Sequence, residues 1–76
     1  MPRSLNIRKP QTKEIRRLHH LLERELSAWQ RRRAETLLLY AAGHNATDIA
    51  TFLEVHVHTV YADLHAFGRE GLASIH

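Results

Sequence analysis

Apolar residues recur along most of this chain at helical spacing, and there is no strand pattern of any length. Ile15, Leu18, Leu22 and Leu26 recur at intervals of three and four and predict an amphipathic first helix. Thr12 is placed to cap it, with Glu14 in the first turn, where the helix dipole favours an acid. Lys13, Arg17 and Arg24 fall on the opposite face with His20 beside them, so the outer face is basic. His19 lies at the edge of the apolar stripe and is expected to pack. Ser27 followed by Gln30 has the form of a capping box and starts a second helix at Ala28. Its inner stripe is Gln30, Ala34, Leu37, Leu38 and Ala41, and Leu39 and Tyr40 widen the apolar surface, as in a central helix. Gly43 is suited to end it in the left-handed conformation. Asn45 and Asp48 cap a short third helix whose inward residues are expected to be Ile49, Phe52 and Leu53. A tight turn over 53–56 leads to a fourth helix near Val57, with Val60, Leu64 and Phe67 as core stripe, flanked by Val57 and Tyr61. Gly68 and Gly71 are expected to end it. The fold class is therefore all-α: four helices over 12–76, preceded by a basic N-terminal arm over 1–11. In that arm Leu5 and Ile7 alternate with polar neighbours and are placed to lie against the core as an extended piece.

Seventy-six residues make one domain with a small core. There is no cysteine, so neither a disulfide nor a thiolate metal site contributes. No apolar run approaches the roughly 20 residues of a membrane span, and no signal peptide is evident, so the expected location is the cytoplasm. The net charge of +3 is unevenly spread. Ten basic residues face three acidic ones in 1–33, whereas 34–76 holds Arg69 against five acids. A basic half on a small domain points to a polyanion, most often nucleic acid. Seven histidines raise the question of a metal, but their spacing argues against one. His19 and His20 diverge by about 100°, and His58 and His65 lie about 10 Å apart along a helix. Neither a metal nor any other cofactor is expected, and no small-molecule substrate or membrane partner.

The segment 45–67 has the pattern of a helix-turn-helix. Ile49 and Leu53 pack inward, Ala50 is small where the helices cross, Val55 plugs the turn, and Val60 and Leu64 pack back. The second helix of such a unit offers its outer face to the major groove of DNA.

The run 31–43, the run 45–55, and the pieces 59–61 and 67–72 together are similar to a known domain. They resemble the N-terminal homeodomain-like region of bacterial insertion-sequence transposases of the mariner-like superfamily, over roughly residues 12 to 73. In that family a separate catalytic domain with an acidic metal-binding triad follows. The resemblance thus implies recognition of DNA ends by the residues present, without strand cleavage, and this segment is not expected to be an enzyme. The chain departs from the family in two places. Glu54 stands where the turn usually carries glycine, at a cost of about 1–2 kcal/mol if the residue is left-handed. The recognition helix, usually rich in arginine, has no Lys or Arg between Glu54 and Gly68 and contains Asp63.

Helical projection puts His58, Thr59, Ala62, His65, Ala66 and Arg69 on the outward face of the fourth helix. His58 and Thr59 are placed to hydrogen-bond base edges, and Ala62 to meet a thymine methyl. Phosphate contacts are assigned to Arg3, Arg8 and Lys9 of the arm, to Arg31, Arg32 and Arg33, and to Arg69. The three consecutive arginines sweep through about 200°, so only two can serve one surface. Two readings remain open. One is sequence-specific binding of double-stranded DNA, as a transposase-like module or a small transcriptional regulator. The other is a protein-interaction or dimerisation module on the same fold, favoured by the arginine-free helix and by Trp29, Leu39 and Tyr40. Tight binding by so small a unit calls for a second copy or a partner domain such as the catalytic one.

Overall fold

The computed structural model describes residues 7–75, which contain four α-helices and no strand. The helices are α1 (Thr12–Leu22), α2 (Ala28–Ala41), α3 (Ala46–Leu53) and α4 (Val57–Glu70), closed by a 3-10 helix, Gly71–Ile75. The caps follow from local chemistry. The Ser27 N–H donates to Gln30 Oε1 at 3.0 Å, and the Gln30 N–H donates to Ser27 Oγ at 3.4 Å, which closes the capping box of α2. Asn45 Oδ1 accepts from the Asp48 N–H at 2.8 Å at the start of α3. For α1 the cap is Gln11 and not Thr12, which is already helical. The Glu14 carboxylate accepts the Gln11 N–H at 2.9 Å, and this reciprocal bond fixes the helix start one residue earlier than Thr12 would.

The core sits where α1, α3 and α4 meet α2, with Leu18, Leu37, Ile49, Val60, Leu64, Phe67 and Ile75 fully buried. Each such side chain contributes about 1.5–3 kcal/mol on removal from water, so a handful of residues carries most of the stability. The helix α2 touches every other element, while α1 packs chiefly on α2, and α3 and α4 pack on each other and on α2. The closing 3-10 helix is pinned by side chains of α2. Gln30 Nε2 donates to the Ile75 carbonyl at 2.7 Å, and Arg33 Nη1 donates to the Ser74 carbonyl at 2.6 Å.

Several expected positions differ. Helix α1 stops at Leu22, so Leu26 is half-buried in the connection and is not part of the helical stripe. Leu21 is buried in its place. His19 is exposed, because the face that meets α2 is centred on Leu18 and Leu22, to one side of it. Phe52 is 74% exposed. The inward arc of α3 runs through Ala46, Ile49, Ala50 and Leu53, and at about 100° per residue Phe52 lies about 110° from its centre. Gly68 is an ordinary helical position, and α4 ends only at Gly71, whose φ is 63°.

The end of the arm lies along the domain. Pro10 is buried, Ile7 packs over Gly68, and the Tyr40 hydroxyl donates to the Ile7 carbonyl. Burial raises the Tyr40 pKa above its ordinary value. The expected seat of Leu5 falls outside the described residues.

Candidate nucleic-acid interface

The turn between α3 and α4 is held by backbone geometry. Glu54 is left-handed, with φ 58° and ψ 45°, which lets the Val55 N–H donate to the Ala50 carbonyl at 3.0 Å and ends α3. A side chain in this conformation carries a cost that glycine would not, and Glu54 is the only non-glycine residue with positive φ among those described. His56 then caps α4: its Nδ1 accepts the His58 N–H at 3.1 Å. The His56 and His58 rings lie 4.6 Å apart at the exposed start of the helix.

His58, Ala62, His65 and Arg69 are all exposed and, at about 100° per residue, span an arc of only about 60°. They form one straight stripe over three turns of α4. Two expected members of this face sit elsewhere. Ala66 is 5% exposed and belongs to the core. Thr59 is half-buried at the side of the stripe, about 90° from its centre.

Asp63 explains the absence of acid from the stripe. It sits between Val60 and Phe67 on the buried face and is fully inaccessible. Arg32 Nε and Nη2 donate to its two carboxylate oxygens, each at 3.1 Å, and Arg33 Nε donates at 2.9 Å. Thr36 Oγ1 lies 3.5 Å from the same carboxylate. A buried carboxylate is tolerable only with such partners, and here two guanidinium groups from α2 supply them. The hydrogen bond to Asp63 raises the Arg32 pKa, so this group stays charged. The acid that stands out in the recognition-helix sequence therefore faces away from any ligand of that helix.

The same contacts redistribute the cations. Arg32 and Arg33 are turned inward to Asp63, and Arg33 also lies 5.1 Å from the Trp29 ring centre. Of the three consecutive arginines, Arg31 is the exposed one. Arg8 forms a two-pronged bond to Glu14, at 2.6 and 2.8 Å, and its guanidinium lies 4.6 Å from the Phe67 ring centre. These bonds from Arg8, with the Gln11 N–H second, lower the Glu14 carboxyl from 4.5 to about 2. Lys9 is exposed, with its ammonium 5.9 Å from the Tyr40 ring centre. Arg69 is exposed in the last turn of α4. Arg3 lies outside the described residues.

Buried Asp63 has a sequence signal in hindsight. It stands three residues after Val60 and four before Phe67, on the core register, and a run of three arginines lies on the neighbouring helix. Among the described residues no group of three or more His, Cys, Asp or Glu could hold a metal ion. Among the described residues no helix is long and apolar enough to cross a membrane.

A short helix, a tight left-handed turn and a second helix with one exposed face, all backed by α2, define a helix-turn-helix domain. The sequence model of the Homeodomain-like domain family matches residues 30–74, and the chain belongs to that family, whose members are generally DNA-binding modules. No curated protein and no solved structure matches it. The match begins within α2 and leaves α1 outside.

Proposed function

We propose that this domain binds double-stranded DNA sequence-specifically by laying α4 in the major groove, as the end-recognition module of a transposase or as a small transcriptional regulator. The observation that carries this reading is the exposed stripe of α4, which holds no acid because Asp63 is buried and matched. A groove about 12 Å wide admits one helix, and His58 near its N-terminus reaches base edges first. Ala62 is small enough for close approach and offers a methyl to thymine. Thr59, at the side of the stripe, reaches one wall of the groove and not its floor. Arg69, Arg31 and Lys9 are exposed and supply phosphate contacts, with Arg3 added from the arm. Arg8, Arg32 and Arg33 act on structure first, because each already has an internal carboxylate. Four stripe residues read few base pairs, so tight binding takes a second copy or a partner domain.

A second reading, a protein-contact module, has one specific observation in its favour, the 74% exposure of Phe52. Selection from a pool of randomised duplexes separates the two. DNA reading gives an enriched motif, and His58→Ala with Ala62→Glu flattens it, at about 1–3 kcal/mol per lost base contact. No enrichment, together with a concentration-dependent dimer in sedimentation, favours the protein-contact reading.

A further inference from the structure

The outer face of α1 holds a cationic groove of about 580 Å³, lined by Lys13, Arg16, Arg17, His20, Leu21 and Arg24. Lys13, Arg16, Arg17 and His20 are exposed and, at about 100° per residue, occupy about 100° of the helix circumference. Buried Leu21 lies at its edge. Among the described residues Lys13, Arg16, Arg17 and Arg24 make no side-chain hydrogen bond and no ion pair. Exposed Glu23 lies 4.0 Å from His20, and Glu14 is already engaged by Arg8. This arrangement opposes helix formation. Lys13 stands in the first turn, where the dipole disfavours a cation, and Lys13–Arg16 and Lys13–Arg17 are like-charge pairs at i, i+3 and i, i+4. A polyanion laid along the face would relieve both penalties.

We infer that the α1 groove is a second DNA site, which holds the phosphate backbone of a duplex. Its chemistry selects among polyanions. No Phe, Tyr or Trp lines it, so it lacks the stacking platform that single strands require. The apolar side of α1 is committed to α2, with Leu18 and Leu21 buried, so no apolar face is left to enter a lipid surface. What remains is a set of unpaired cations, Lys13, Arg16 and Arg17 within about one turn of α1 and Arg24 just past its end, suited to phosphates of one strand. The groove lies outside the segment shared with the homeodomain-like family, on a helix that packs chiefly on α2. Phosphate binding through α1 is thus an addition to the three-helix unit. It supplies the charge that Arg8, Arg32 and Arg33 spend on internal partners. Only its coupling to sequence reading rests on the function proposed for α4; the groove itself does not.

The test is an NMR titration of the uniformly 15N-labelled chain with a random duplex of about 20 base pairs and, separately, with phosphatidylserine-containing vesicles. Shifts over 13–24 with the duplex, but not with the vesicles, are expected. In parallel, a variant with Lys13, Arg16, Arg17 and Arg24 all changed to Gln is titrated by anisotropy after circular dichroism shows its helix intact. Glutamine is a good helix former and these side chains have no partners to lose. Its duplex affinity at about 0.1 M salt should fall at least tenfold, and its salt slope by about 0.9 per lost phosphate contact. Shifts confined to α4, with an unchanged slope in the variant, would overturn the α1 site and leave the α4 reading standing. Shifts confined to α1 would support the groove and defeat the α4 reading. Shifts over α1 with vesicles alone would overturn the assignment to DNA.

Discussion

Asp63→Ala removes the carboxylate that two arginines share. The side chains of Arg32 and Arg33, 30% and 18% exposed, would then hold their guanidinium groups at the core boundary without a counter-charge. Breaking a buried ion pair by deleting one partner costs about 3–5 kcal/mol, and the partial exposure of the arginines puts the cost near 3 kcal/mol. A domain of this length is stable by roughly 4–11 kcal/mol, so one substitution would remove a large share of the total. At about 4–8 °C per kcal/mol, the midpoint should fall by roughly 12–24 °C. Urea and thermal unfolding, followed by the helical circular dichroism signal, measure both quantities. Adding Arg32→Met and Arg33→Met to Asp63→Ala should recover much of the loss, because no charge is then left unpaired. A loss below about 1 kcal/mol, or a triple variant no better than the single one, would refute the claim that compensation of Asp63 organises the α2–α4 contact.

Three further outcomes follow from the geometry. Glu14 has its folded pKa lowered to about 2 from 4.5, so its stabilising effect is fully present above about pH 4.5 and is lost as pH falls through 2. Glu14→Gln should therefore cost about 1 kcal/mol at neutral pH, Arg8 being half exposed, and nothing once pH is well below 2; a difference independent of pH in acid titrations of stability would contradict this. Glu54→Gly should raise stability by about 0.5–1 kcal/mol, as relief of the left-handed strain exceeds glycine's extra freedom when unfolded, and a lower unfolding midpoint would argue against that strain. Phe52→Ala should change unfolding free energy by less than about 0.5 kcal/mol, while Phe67→Ala costs about 3–5, and comparable losses at the two sites would contradict the burial pattern.

The existence of the four helices, the caps of α2 and α3 and the end of α2 were legible because their signals are local, whereas the limits of α1 and the end of α4 were not. Ser27 with Gln30, Asn45 with Asp48 and Gly43 with φ 102° act within a few residues of themselves. The register of α4 was legible too, since Val60, Leu64 and Phe67 repeat at helical spacing and are all buried. What periodicity alone could not fix was the centre of each buried arc, which depends on the neighbouring helix. Phe52 satisfies the three-residue spacing from Ile49 yet falls on the wrong side of it, and Ala66 falls on the buried side of α4. The fate of the arginines was hidden for the same reason. A charge count treats Arg8, Arg32 and Arg33 as free, while the fold brings Glu14 and Asp63, six and about thirty residues away, against them. The basic face of α1 was legible in the sequence, but its lack of acidic partners depends on the fold, which commits Glu14 to Arg8.

The most direct measurement is a fluorescence-anisotropy titration of the intact chain with random duplex DNA at about 50 and about 200 mM salt. A DNA-binding domain with its exposed cations on α1, Arg31 and Arg69 should bind at micromolar concentration or tighter in the lower salt. With five or more phosphate contacts it should lose roughly 10²–10³ in affinity at the higher salt. No binding at the lower salt, or binding that salt leaves unchanged, would contradict the proposal that this helix-turn-helix acts on DNA.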